Sequence, residues 1–473
     1  MNDGMDHESR LFKILPASTH SPTSSIGHDP DEFRLVRSRV GHHLFMVDGS
    51  RFYDLDVSDF TRIQESVQLN GCARIDLLPA SLPGGVGDRY ISAIPLQPQP
   101  VYSISINVAQ ACNMACRYCY ADEGRFGGEA RFMCEGVANQ AVDSLICNSL
   151  PDASILLGFM GGEPLLNRRV IHSATRYAAK AAQAAGRKIR FSITTNGTLI
   201  TEEDAKLFSE YPFIVQVSLD GPPEINDEAR PLKGGSGSYE RVIAGLEMFS
   251  RFGRPKTLSC RVTVTPSSGR LLPILEHLIS LGFDDVGFSP VLVSPDPKCS
   301  FSKLDFDQLL VEMAECALKT SVELAAGRPF PFSNFLTALS EIHKGTHRPY
   351  PCGAGATYLS VNTEGILYAC HRLVDDPAFE MGDLANGPNY SRRRELLKRS
   401  HVDTIEPCRA CWARYLCGGG CYHEVSRRGR VACDYIRGWL DVCLASYAEL
   451  STECPEMFEK IEDVKIAASE DYA

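Results

Sequence analysis

The chain has no run of about 20 apolar residues, the length a helix needs to cross a bilayer. It also lacks any long basic run, and its formal net charge is −11. These absences exclude a membrane span and leave no electrostatic footprint for nucleic acid. The first 30 residues lack the apolar core of a secretory signal and are rich in Ser, His, Pro and Asp, which predicts disorder over 1–30. What is abundant is cysteine, 18 in 473 residues. In a large chain without an export signal, so many thiols read as metal ligands and buried side chains rather than disulfides. The expected compartment is a reducing cytoplasm, and the length predicts roughly two to four domains.

The cysteines are grouped. Cys112-Asn-Met-Ala-Cys116-Arg-Tyr-Cys119 places three thiols in one short loop directly after a strand-like run, Tyr102 to Val108. Three thiolates can hold a four-iron cubane and leave one iron without a protein ligand, whereas such clusters normally take four cysteines. A ferredoxin-type cluster with a remote ligand, or a zinc site, stays open on these residues alone. A second group comprises Cys352, Gly365 and Cys370, then Cys408-Arg-Ala-Cys411, Cys417, Cys421 and Cys433. Cys72, Cys134, Cys147, Cys260, Cys299, Cys316 and Cys454 fit no ligand spacing and read as core thiols. Of these, Cys299 follows the sixth strand and is placed to reach an open mouth.

Apolar runs at 102–108, 155–160, 190–195, 213–219, 258–265 and 286–293 alternate with helix-length segments at 131–149, 168–185, 202–210, 239–252 and 269–281. Six strand-then-helix repeats predict an α/β fold with a parallel sheet. Parallel α/β sheets bind their ligands at the C-terminal strand ends, which is where the polar motifs fall. Gly161-Gly162-Glu163-Pro164 follows the second strand, and its glycines admit close backbone approach to a ligand. Asn196-Gly197 ends the third strand and Ser218-Leu-Asp220-Gly221 the fourth. Arg230 lies beyond, able to pair a carboxylate bidentately. Asn196 as a turn residue and Arg230 as a surface charge are the plainer readings, and Asp220 reads equally as base or substrate contact. Near the N-terminus, Phe33 to Val40 and His43 to Val47 read as strands, Asp48-Gly49 as a hairpin turn, and Ser58 as the cap of a helix starting at Asp59.

The CxxxCxxC loop with Tyr118 before its last cysteine, followed by GGEP, is similar to the radical SAM superfamily. The resemblance implies a partial (β/α)6 radical SAM barrel with an N-terminal winged-helix-like module and a C-terminal SPASM iron-sulfur domain. It implies a cluster on Cys112, Cys116 and Cys119 whose open iron chelates S-adenosylmethionine, with the cofactor supplying the hard chemistry. Nucleotide contacts would come from Tyr118, Gly161, Gly162, Glu163, Pro164, Asn196, Ser218, Asp220 and Arg230, the GGEP loop facing the methionyl ammonium.

The later cysteines resemble the SPASM pattern, implying two auxiliary clusters and three 4Fe-4S clusters in all. Cys352, Cys370 and Cys421 would hold the first auxiliary cluster, and Cys408, Cys411, Cys417 and Cys433 the second. The first is then one ligand short; Cys443 or another group completes it, or one iron stays open to a substrate thiolate. The implied domains are a disordered 1–30, a peptide-recognition-like module at 31–95, the barrel at 96–335, the SPASM domain at 345–450 and a charged, frayed helical tail at 451–473. The module resembles units that grip a leader peptide by strand addition, a generic cap being the alternative.

Over roughly residues 33–450, the N-terminal module, the barrel and the segment from Cys352 to Arg372 resemble the maturation enzymes of quinohemoprotein amine dehydrogenase. That implies thioether cross-links, Cys sulfur to an Asp or Glu carbon, in a small cysteine-rich subunit bearing a leader peptide. An external donor such as flavodoxin or ferredoxin is implied as well. Sulfatase maturases, which form formylglycine, are the alternative; they carry an aspartate after the second SPASM cysteine, where this chain has His371. With a pKa near 6.5, His371 would serve as a base or as a structural hydrogen-bonding group. A non-catalytic electron relay is the remaining reading.

Overall fold

In the computed structural model the described residues are 31–71, 73–74, 76, 78 and 97–458. The disorder expected over 1–30, Cys72 and the tail from 459 onward lie outside them. Phe33–Ser38 (β1), Gly41–Met46 (β2) and Arg51–Leu55 (β3) form an antiparallel sheet in that order, with Gly49 at φ +89° in the second turn. Helix α1, Val57–Asn70, follows. Its cap is Asp56 rather than Ser58: the Asp56 carboxylate accepts from the Asp59 N–H at 2.7 Å, and the Ser58 hydroxyl donates to the same carboxylate at 2.7 Å. Asp56 has the extended backbone an N-cap needs, so the helix starts two residues earlier than expected.

The six expected strands are all present: β4 Ser103–Gln110, β6 Ser154–Gly161, β7 Lys188–Thr195, β8 Phe213–Ser218, β9 Thr257–Val264 and β10 Asp285–Pro290. They lie side by side in chain order and pair in parallel. The two-residue β5, Arg131–Phe132, adds to β4 antiparallel. The crossovers carry α2 Glu135–Asn148, α3 Arg168–Ala184, α4 Glu202–Glu210, α5 Pro223–Ala229, α6 Tyr239–Phe252 and α7 Leu271–Ser280. Side chains alternate between the two faces of a strand: β4 is buried at every position, with Ile104, Ile106 and Val108 in the apolar core and Ser103 and Ser105 on the other face. Phe191 stacks on Phe213 with centroids 5.1 Å apart, and Phe159 on the same ring at 6.1 Å.

After α8, Lys303–Ala325, and α9, Ser333–His343, the C-terminal segment does not form a sheet of its own. Its first strand, β11 Tyr358–Val361, pairs in parallel with β4, aligning Tyr358 with Ser103 and Val361 with Ile106. β12 Ile366–Tyr368, β13 Glu380–Asp383 and β14 Gly387–Pro388 continue antiparallel from there, so one 11-stranded sheet runs through both expected domains. Short helices α10 Tyr390–Ser400, α11 Arg414–Cys417 and α12 Tyr422–Arg428 precede α13, Cys433–Glu453. The N-terminal sheet leans on α13, where Arg34 pairs with Asp441 through two bonds of 2.9 and 2.8 Å. The expected frayed tail is anchored in its described part: Phe458 is buried and stacks on His343 at 4.7 Å. Among the described residues no helix is long and apolar enough to cross a membrane.

Candidate active site

The strand ends of the barrel open into a cavity of about 660 Å³. Cys112, Cys116, Cys119, Tyr118, Gly161, Gly162, Asn196, Ser218, Arg230 and His371 all line it. Residues 111–119 and 371 are far apart in the chain; they meet because β11 runs beside β4 and carries the C-terminal loop over the barrel mouth.

The cysteine loop is held by backbone pairing with the segment beyond β8: Ala115 N–H donates to Pro231 O at 2.9 Å and Arg117 N–H to Ala229 O at 3.1 Å. Cys112 Sγ accepts from the Met114 N–H at 3.4 Å and from Asn196 Nδ2 at 3.8 Å. Burial, with Glu163, Cys116 and Cys119 adding to it, pushes the Cys112 thiol up to about 12. Thiols in that state bind protons until a metal displaces them.

The two glycines of the GGEP loop are also required by packing within the protein. A Cβ on Gly161 would sit 2.3 Å from Ala109 O, and one on Gly162 would sit 2.4 Å from Ala111 O and 2.6 Å from Gly124 Cα. They allow the loop to press on the cysteine loop's backbone rather than only on a ligand. Glu163 and Pro164 do not line the cavity. The Glu163 carboxylate is fully buried and accepts from Leu165 N at 3.0 Å, Thr195 Oγ1 at 2.7 Å and Asn196 N at 2.7 Å. It fixes the third strand end, and through it Asn196, whose Nδ2 also donates to Asn113 Oδ1 at 2.8 Å.

Asp220 is likewise withdrawn: it is 1% exposed and is absent from the cavity wall. Its carboxylate accepts from the Tyr118 hydroxyl and, at 2.9 Å, from the Thr263 N–H. Arg230 lies 3.9 Å from it. Burial raises the Asp220 pKa, with Arg230 acting in the opposite sense. Burial also works against the Arg230 charge, but Tyr118, Cys116 and Asp220 outweigh it and keep the guanidinium protonated. Asp220 thus sits behind the wall as a partner of Arg230, and Arg230 itself lines the cavity.

On the opposite side, His371 Nδ1 meets the Tyr358 hydroxyl at 3.0 Å, and that hydroxyl meets Ser105 Oγ at 2.6 Å. Burial, then Arg372 and His423, push the imidazole down to about 3, so it is neutral.

Each of the 17 described cysteines is unpaired. Cys352, Cys370 and Cys421 lie within electrostatic reach of one another, and burial with mutual repulsion raises Cys352 to about 11 and Cys370 to about 12. Cys417 likewise feels Cys411, Cys433 and Cys408. The members of each later set thus lie near enough to influence one another's charge. Among the described residues no three His, Cys, Asp or Glu side chains converge as a single metal ion requires. Buried polar atoms without partners flank the sets: Arg372 Nε and His423 Nδ1 beside the first, Arg430 Nε beside the second. Sulfur donors in threes and fours, with spare N–H groups around them, fit a multi-iron sulfide group.

Cys443 does not join the first set. It is buried in the core beside Tyr435 and Cys316, its thiol is raised by burial alone, and neither Cys352 nor Cys370 feels its charge. Cys299 does not reach the mouth; it is buried against Tyr118 and Val291 with Cys116 alongside. Tyr358, Tyr120 and Arg372 line the cavity without having been singled out by sequence. Tyr120 and Arg372 each follow a ligand-type cysteine closely, which is the signal that could have found them; Tyr358 offers none.

Residues 106–267 match the model of the Radical SAM superfamily. The chain is 26% identical over 377 residues to the serine-type anaerobic sulfatase-maturating enzyme of Klebsiella aerogenes, covering 74% of this chain and 87% of that one. It is 25% identical over 342 residues to the cysteine-type enzyme of Clostridium perfringens, covering 68% and 89%. The solved structure of native anSMEcpe with bound AdoMet superposes with a TM-score of 0.62 at 20% identity, covering 77% of this chain and 100% of that one, a likeness of fold. The match over residues 106–267 marks a radical SAM enzyme domain within the chain.

Proposed function

We propose that this enzyme oxidises a side chain within a peptide or protein. The carrying observation is a single cavity walled on one side by the Cys112, Cys116 and Cys119 loop and on the other by His371 and Tyr358 from the C-terminal segment. A 4Fe-4S cluster on the three loop cysteines, with S-adenosylmethionine on its open iron, would supply a 5'-deoxyadenosyl radical that abstracts hydrogen. Arg230 would hold the methionyl carboxylate and Ser218 the ribose, while the Gly161-Gly162 backbone would face the ammonium. Cys352, Cys370 and Cys421, and Cys408, Cys411, Cys417 and Cys433, would hold two auxiliary clusters, making three. An external donor such as flavodoxin or ferredoxin would prime the reaction.

Relatives whose names state sulfatase maturation support a cysteine- or serine-oxidising activity. A specific observation supports a second reading, thioether formation of the kind known in quinohemoprotein amine dehydrogenase maturation. With Cys443 in the core, the first auxiliary set has three cysteines among the described residues, leaving a position for a substrate thiolate. His371 stands where sulfatase maturases carry aspartate; burial makes its imidazole a weak base, which favours a hydrogen-bonding role beside Tyr358.

Mass spectrometry of candidate peptides co-expressed with the enzyme separates the readings. A thioether removes two hydrogens, whereas formylglycine from cysteine loses sulfur and gains oxygen. Unmodified peptides of both types, with S-adenosylmethionine still consumed, would refute both.

A further inference from the structure

One cation sits where two cysteine sets approach each other. Arg372 Nη1 points at Cys421 Sγ at 3.8 Å and donates to Glu424 Oε1 at 2.8 Å. Its guanidinium carbon lies 4.9 Å from the ring centroid of Tyr120, the residue directly after Cys119. The Arg372 N–H meets Cys370 Sγ at 3.5 Å, and Nε is buried with no partner. Tyr120 is packed edge-on against His423, with centroids 5.5 Å apart. Arg372 thus touches two of the three cysteines in the first auxiliary set and stacks on the radical loop.

We propose that Arg372 sets the reduction potential of the first auxiliary cluster, holding it higher than its cysteines alone would. This rests on the reading that Cys352, Cys370 and Cys421 hold such a cluster. Reduction adds one electron and one negative charge to the cluster, with no proton or further reactant required. A fixed positive charge and an N–H aimed at a ligand sulfur both favour the reduced form, and cluster potentials respond to net charge and to hydrogen bonds on sulfur. Arginine suits this position because its guanidinium stays charged and can bond several partners in one plane while stacking on an aromatic face. Glu424, the partner of that guanidinium, works in the opposite sense and offsets part of the charge. The unpartnered Nε would be a further donor available to a bound cluster.

The test is a redox titration of the holoenzyme followed by electron paramagnetic resonance. Arg372→Gln is expected to lower the midpoint of this cluster, with about a tenfold smaller reduced-to-oxidised ratio at a fixed poise, ~59 mV for a one-electron couple. The other clusters should keep their midpoints. Glu424→Gln is expected to move the same midpoint upward, and Arg372→Lys to retain most of the wild-type value. An unmoved midpoint in Arg372→Gln that still carries all its iron overturns the proposal. If Arg372→Gln loses iron, Glu424→Gln decides: an upward shift supports the proposal and an unmoved midpoint overturns it. If Cys352→Ser, Cys370→Ser and Cys421→Ser leave iron content unchanged, the cluster assignment itself has failed, whatever Arg372 does.

Discussion

Arg230 donates from Nη1 to the Tyr118 hydroxyl at 2.6 Å, and that hydroxyl donates in turn to Asp220. The pair joins the cysteine loop to the segment beyond the fourth parallel strand, so the guanidinium offered to the cavity is aimed by a residue of the cluster loop itself. Asp220→Asn removes the counter-charge from a buried pair, a change that costs about 3–5 kcal/mol in comparable settings. S-adenosylmethionine affinity should fall by roughly tenfold or more, since each 1.4 kcal/mol is a factor of ten. Calorimetry giving wild-type affinity would show that Arg230 needs no such support.

Replacing Cys112, Cys116 or Cys119 by Ala should abolish formation of 5'-deoxyadenosine and remove about four irons per chain, one cubane's worth. A variant that still cleaves S-adenosylmethionine contradicts the assignment.

Cys443 and Cys370 make a contrasting pair. Cys443→Ala should keep the full iron content and lower stability by about 1–2 kcal/mol, as small core truncations do. Cys370→Ala should lose iron while the radical loop's cluster remains. Iron analysis beside a denaturant melt checks both, and iron lost from Cys443→Ala would return that residue to the ligand set.

Asp204 is fully buried and accepts from Arg168 Nε at 2.8 Å, His172 Nε2 at 2.9 Å and the Thr201 N–H at 2.9 Å. Burial alone would raise its carboxyl, but these bonds outweigh it and hold it below the ordinary value. A lowered folded pKa means stability that is complete above the unfolded value, about 3.9, and lost as pH falls through the folded one. Asp204→Asn should cost ~3–5 kcal/mol at neutral pH and flatten the loss of stability on acidification. Equal acid sensitivity in both proteins, measured by denaturant melts from pH 7 to pH 3, would discard this account.

Much of the barrel was legible because its signals are local. Long apolar runs in β4 to β10 separated by amphipathic stretches specify strand and helix whatever their neighbours do, and α4 and α6 match the expected bounds, 202–210 and 239–252. The four-residue β11 was not legible: Tyr358–Val361 lies between two cysteine loops, too short to show a period. Side-chain direction was also hidden. The GGEP and Leu-Asp-Gly motifs were correctly located at strand ends, yet Glu163 and Asp220 turn inward to brace their neighbours, while Gly161, Gly162 and Arg230 face the cavity.

By itself the chain's order of residues determined the parallel strand-helix repeat and the three-thiol loop, since cysteine spacing and hydrophobic period are properties of neighbours in sequence. Only the tertiary structure decided that β11 would extend the barrel sheet and bring His371, Tyr358 and Arg372 to the radical loop, and that Cys443 would be spent on the core. Those outcomes depend on pairing and packing between segments more than 100 residues apart, where a side chain's neighbours are set by which surfaces exclude water together.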